Sequence, residues 1–285
     1  MVELNGITEG SPIGFMAAAG LLRVLNEDCD RDAALSWNGG HAVVQGLQDR
    51  DDLLAELAGH MKGRCKALEW TWVPTAKKVS PDDYRAACER AAGARRALAF
   101  LAAFATDTVL TDDANVRPSR LDMTSGQQNL IADLRKLAES LEPEMSSRQA
   151  FEETLFQRTY RQQATFGWDP VAVRKHAHEA RAPMLSKPPG RPGEVWLAAE
   201  ALALHPVLPA GNRARTTGCE RIGDRGQCYF WASWGNTPLN VDEIRYLRAL
   251  DVKAINRRSG VETVWASEFG SSGKYGMLLP AKREA

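Results

Sequence analysis

The sequence predicts a helix-rich α+β fold with several short, mostly antiparallel strands. Apolar residues recur at helical spacing in runs such as DRDDLLAELAGHM and NLIADLRKLAESL. Short segments between them alternate, or gather β-branched and aromatic residues, as in HAVVQG and QCYFWASW. The chain has 285 residues, 44% of them hydrophobic, with no repeat or low-complexity tract, so it can bury one large core or two smaller ones.

The elements follow in order. VELNGI reads as a strand. SPIGFMAAAGLLRVLNE reads as a helix, with Ser11 as N-cap and Pro12 in the first turn, where its missing N–H costs nothing. Its apolar residues surround the helix, which predicts burial on most sides. AALSW and HAVVQG are strands joined by a hairpin turn at Asn38–Gly39. DRDDLLAELAGHM is an amphipathic helix, and LEWTWV alternates like a strand. SPDDYRAACERAAGARRALAFLAAFA reads as one long helix, with Ser80 and Asp83 placed for a capping box. TSGQQNLIADLRKLAESL and SRQAFEETLFQRTY are helices. RAPMLSKPPGRPGE, with four prolines and two glycines, is a loop. EVWLAAEALALH is a helix, PAGNRARTTGCERIGDRGQ a basic loop, and QCYFWASW a strand. NVDEIRYLRAL is a helix capped by Asn240 with Glu243 at the reciprocal position, and VETVWASEF and KYGMLLP are the last strands.

The net charge is zero, which excludes a global field that would drive the chain onto polyanions. The charge is unevenly placed. Residues 1–150 carry 17 Lys and Arg against 22 Asp and Glu, and residues 151–285 carry 19 against 14. This switch divides the chain into an acidic helix-rich half, 1–150, and a basic α+β half, 151–285, which together are compatible with one compact unit. Between Arg158 and Arg191, seven basic residues face only Asp169 and Glu179.

Most catalytic chemistry lacks a local signature. The five cysteines are widely spaced without a CxxC, which predicts neither a disulfide framework nor a zinc site. His176 and His178 lie two apart in a helix-like context with no carboxylate cluster, so no metal or other cofactor is expected. GSSGKY at 270–275 lacks the Gly and Ser/Thr of a phosphate-binding loop, because Glu268 and Tyr275 stand there; it reads as a glycine turn presenting Lys274. GxSxG and HExxH are absent. The acid pairs Asp51/Asp52, Asp82/Asp83 and Asp112/Asp113 suit helix starts and exposed turns. With neither a signal layout nor an apolar run long enough to span a bilayer, the sequence predicts a cytoplasmic protein without membrane contact.

Binding chemistry is better represented. In FQRTYRQQATFGWDP (156–170), Arg158 and Arg161 alternate with aromatic rings and with Gln162 and Gln163. Guanidinium groups match phosphate with several fixed donors, and amides reach base edges or backbone oxygens. Arg158, Arg161, Lys187, Arg191, Arg213, Arg215 and Lys274 are therefore candidate phosphate contacts, extended by Arg221 and Arg225. Gln128, Gln162 and Gln163 are candidates to approach bases. Trp168, Trp196, Trp231 and Trp234 fit a core better than a stacking platform.

Several passages resemble one family. LNGITEGSPIGFMAAAGLLRVL, TSGQQNLIADL, FGWDPVAVRKHA, WLAAEALALHPVLPAGNRARTTGCERI and FWASWGNTPLNVDEIRYLRAL, in that order, are similar to the small accessory and large-subunit-like proteins of type I-G (formerly I-U) CRISPR systems. The resemblance spans most of the chain and brings no catalytic residues. It implies a non-catalytic subunit of an RNA-guided, Cascade-like surveillance complex. Such a subunit would contact guide RNA or target DNA and the flanking motif, with other effector subunits and the helicase–nuclease as partners. Two other readings stand beside it. One is a protein–protein adaptor that recruits the helicase–nuclease without touching nucleic acid. The other is a metal-dependent nuclease assembled from dispersed acids.

Overall fold

The computed structural model describes residues 1–72, 77–125, 128–172, 189–272 and 275–284. Among them are nine helices and several small antiparallel sheets, an α+β fold.

The chain opens with β1 (Val2–Thr8), α1 (Pro12–Arg23), β2 (Ala34–Asn38) and β3 (His41–Gln45), the strands pairing in the order β1-β3-β2. Ser11 Oγ accepts from the Gly14 amide at 3.2 Å, and all twelve residues of α1 are buried. The hairpin register pairs Asn38 with His41, so the turn falls on Gly39–Gly40, one residue later than the sequence suggests. Next come α2 (Arg50–Met61), α3 (Pro81–Arg90) and α4 (Arg95–Phe104), followed by the paired strands β4 (Ala105–Leu110) and β5 (Val116–Pro118). The expected long helix therefore breaks in two. Gly93 has φ +83°, a left-handed geometry that ends a helix and that a side chain disfavours. At the start of α3, Asp83 accepts from the Ser80 hydroxyl rather than closing a box on the backbone. Residues 68–72 of LEWTWV are not a strand. Leu68–Trp70 form a helical turn that sets Trp70 against Phe100, Phe104 and Trp196, so packing overrides the alternation.

Helices α5 (Leu130–Leu141) and α6 (Glu144–Glu152) follow. Asn129 caps α5 by accepting from the Ala132 amide at 3.1 Å. A wide turn, Glu153–Gln157, ends α6 at Arg158, whose φ is +57°. The two-residue strands β6 (Arg161–Gln162) and β7 (Pro189–Gly190) pair, and α7 (Pro192–Glu200) crosses α1. The expected basic loop after it is largely ordered strand: β8 (Val207–Ala210), β9 (Arg213–Thr216) and β10 (Cys219–Arg221). β8 and β9 form a hairpin across Gly211–Asn212, and Pro209 is tolerated because both strands are edges. β11 (Gln227–Ser233), α8 (Val241–Ala249), α9 (Val252–Asn256), β12 (Thr263–Ser272), β13 (Tyr275–Leu278) and β14 (Lys282–Glu284) complete the chain. The C-terminal sheet runs β10-β11-β12-β13, with β14 also on β12. The expected capping box of Asn240 and Glu243 closes at α8.

One apolar cluster runs from Val2 to Leu278 and draws on both charge halves. Trp168, Trp196, Trp231 and Trp234 all lie within it. At its centre α1 meets α7, and Gly20 sets how close they come. A methyl group there would run into the Leu197 carbonyl. Gly20→Ala should therefore destabilise the protein by about 1–3 kcal/mol through forced separation of the two helices, measured by urea unfolding. Unchanged stability would show that the helices slide apart freely. Among the described residues no helix is long and apolar enough to cross a membrane.

Candidate nucleic-acid interface

A groove of about 790 Å³ opens where the β8–β9 hairpin, β10, the segment 117–123 and the β12–β13 pair converge. Five arginines line it: Arg117, Arg120, Arg213, Arg215 and Arg221. Local folding presents them. In β9 Arg213 and Arg215 are two apart, so they share one face of the strand. Arg221 ends β10 next to Gln227 at the start of β11. Arg120 is fixed at its backbone, whose amide donates to Thr216 Oγ1 at 2.8 Å, tying the 117–123 segment to β9.

The electrostatics are one-sided. Arg120, Arg213, Arg215 and Arg221 have no carboxylate partner among the described residues, and Arg117 Nη2 donates only to the Leu110 carbonyl, at 2.7 Å. Two acids line the groove. Asp122 lies 3.5 Å from Lys77 Nζ. Glu220 accepts from the Val252 amide at 3.0 Å, and burial raises its carboxyl above the ordinary range, against the pull of that hydrogen bond and of Arg215. Cys219 also lines the groove, but burial pushes its thiol up to about 12, against the pull of the nearby arginines. It is protonated and is no nucleophile at neutral pH. The groove can hold a polyanion; its lining has no acid–base pair set for bond breaking.

Only some of the candidates offered by the sequence reach this groove. Arg213, Arg215 and Arg221 line it, whereas Arg158, Arg161, Gln162, Gln163, Arg191 and Gln128 do not. Arg191 is buried. It donates to the Gly6 and Thr154 carbonyls at 2.7 and 3.0 Å and forks onto Glu194, so it is a structural cross-link rather than a phosphate contact. Arg161 is exposed but pairs with Glu153. Gln163 donates to the Ala164 carbonyl at 3.1 Å. Gln162 is exposed on β6, Arg158 is exposed beside it without a carboxylate partner among the described residues, and Gln128 is exposed before α5. Arg225 pairs with Glu284. Lys187, Lys274, His176 and His178 lie outside the described residues. Sequence reasoning missed Arg117 and Arg120. They sit in the acidic half, and only the pair of basic residues in VRPSR marked them.

A second polar cluster lies under the core, where Arg23, His60, Arg96 and Glu200 meet Asp28 and Glu69. Donor atoms of Asp28, His60 and Glu200 fall within 4.8 Å of one another, the spacing of a cation site. The donors do not suit one. Arg96 Nη2 donates to both Glu200 oxygens at 2.8 Å, Arg23 pairs with Glu200 Oε2, and Arg96 pairs with Asp28. Two guanidinium cations already occupy the lone pairs a metal would need, and they would repel it.

No protein-family model and no curated protein matches the chain.

Proposed function

We propose that this chain is a non-catalytic, nucleic-acid-contacting subunit of an RNA-guided type I CRISPR effector complex, and that it grips a phosphodiester backbone in the groove between β9, β10 and the 117–123 segment. The observation that carries the reading is the groove itself: five guanidinium groups gathered from distant segments, none with a carboxylate partner among the described residues. Folding does not reward such an arrangement, because like charges repel and none is ion-paired with a carboxylate among the described residues. A polyanion supplies the missing charge. The resemblance of the ordered motifs to those of type I-G accessory proteins supports the place in an effector complex. There, guide pairing supplies sequence specificity and the protein holds backbones.

Arg117→Ala, Arg213→Ala and Arg221→Ala together should lower affinity for a fluorescent oligonucleotide by about 10-fold or more at moderate salt. The slope of log affinity against log salt should flatten by about 0.7 per lost contact on single strands and about 0.9 on duplex. Arg158→Ala, outside the groove, should leave both unchanged. If the triple variant binds with wild-type affinity and slope, the groove is not the interface.

A further inference from the structure

Arg120 and Phe269 carry the reading of this groove further. The Arg120 guanidinium lies 4.7 Å from the centre of the Phe269 ring, in cation–π contact. The two come from separate segments and are each held in place: Arg120 through its amide on Thr216, Phe269 through its register opposite Leu278 on β13. Both line the groove; Arg120 is exposed and Phe269 half-buried. The guanidinium is thus a flat cation over a ring, on a side chain that is exposed and lines the groove. It stands among three classes of neighbour: the phosphate-type donors Arg117, Arg213 and Arg215, the amide of Gln227, and the apolar side chain of Met123.

A surface built only to hold a duplex needs rows of cations and nothing more, because a duplex hides the faces of its bases. A flat, apolar-backed platform inside a basic groove has a use when a base face is free to lie on it, and only unpaired nucleotides offer that. We propose that the groove binds a short single-stranded segment, with one unpaired base stacked on the Arg120–Phe269 pair and its flanking phosphates on Arg117, Arg213 and Arg215. This rests on the reading of the groove as a nucleic-acid interface and narrows its ligand to an unpaired strand. DNA and RNA share the base face and the phosphodiester, so the chemistry serves either.

The test is fluorescence anisotropy on the full chain at fixed salt with four probes of one length: single-stranded DNA, the same sequence as RNA, the duplex, and an abasic DNA strand that keeps the phosphates. Wild type should bind the DNA or RNA single strand about 10-fold or more tightly than the duplex and the abasic strand. Whichever single strand binds more tightly identifies the natural source. Phe269→Leu keeps apolar bulk and Arg120→Lys keeps the charge. Each should erase most of the preference, a loss of about 5- to 100-fold on the single strand, with abasic binding unchanged. Circular dichroism of both variants checks that they fold. Equal binding of intact and abasic strands, or a preference that survives both variants, overturns the stacking inference while leaving the charge-dependent groove in place. Insensitivity of every probe to the Arg117/Arg213/Arg221 triple variant, or binding of none of the probes, overturns both.

Discussion

Glu200→Ala should lower the stability of this protein by about 3–5 kcal/mol, measured as a fall in the urea midpoint at pH 7.5. Glu200 ends α7 with its side chain fully buried. One oxygen accepts from His60 Nε2 at 3.0 Å and from Arg96 at 2.8 Å, and the other serves Arg96 and Arg23. Its own backbone carbonyl accepts from Arg23 Nε at 2.8 Å. Arg23 and Arg96 also pack on the Phe100 ring, at 5.3 and 5.0 Å. Burial alone would raise the Glu200 carboxyl, yet the two guanidiniums hold it well below the usual carboxylate range. Removing it leaves Arg23, 1% exposed, with Glu27 and Asp28 as its carboxylate partners among the described residues. The cost is that of depriving Arg23 and Arg96 of their fully buried acceptor, not the net worth of the bridge. A Glu200→Ala protein as stable as wild type would show that water reaches the cluster and screens it.

The second large effect is acid sensitivity set by a buried neutral histidine. His205 is fully buried; its Nδ1–H donates to the Ala201 carbonyl at 2.8 Å, and its Nε2 accepts from the Tyr229 hydroxyl at 3.2 Å. That pattern uses the neutral ring. Burial, and then the cation of Arg248, depress its pKa to about 3. Arg248 is itself buried among the rings of Phe15, Tyr229 and Phe230, with no carboxylate partner among the described residues. The folded state therefore binds a proton less readily than the unfolded chain, whose histidine titrates near 6.5. Stability is fully present above that value. It falls as the pH drops below it, and levels off only near the folded value of about 3. Each unit costs about 1.4 kcal/mol, so pH 4.5 should cost about 3 kcal/mol from this ring. His60, whose pKa burial also lowers, adds to the loss in the same direction. Urea midpoints between pH 7.5 and 4.5 should fall steeply for wild type and less steeply for His205→Gln. Identical profiles would mean that the ring accepts a proton in place.

What could be read without coordinates was local. The caps at Ser11 and Asn240, the encircling apolar pattern of α1 and the β3, β11 and β12 strands depend on residues a few positions apart, and they form as expected. The same holds for one misreading. Arg191 has Glu194 three residues on, a spacing that already indicates an internal pair rather than a phosphate contact. The break of the long helix at Gly93 and the hairpin hidden under Pro209 were also local, but each depends on a backbone geometry that composition alone underdetermines.

The candidate site was legible by half. Arg213, Arg215 and Arg221 stood out because positive charge accumulates in their stretch of sequence. Arg117, Arg120 and Phe269 did not, since the first two sit in an acidic half and the ring reads as strand core. By itself the sequence determined the helix caps, the buried helix α1 and strands such as β3, β11 and β12, and that the second half holds more basic than acidic side chains. Only the tertiary structure decided which of those cations face one another across a groove and which, like Arg161 and Arg191, are spent on internal carboxylates. The reason is physical: periodicity and capping act over one or two helical turns, whereas a binding surface is a sum of charges whose distances are set by how remote segments pack.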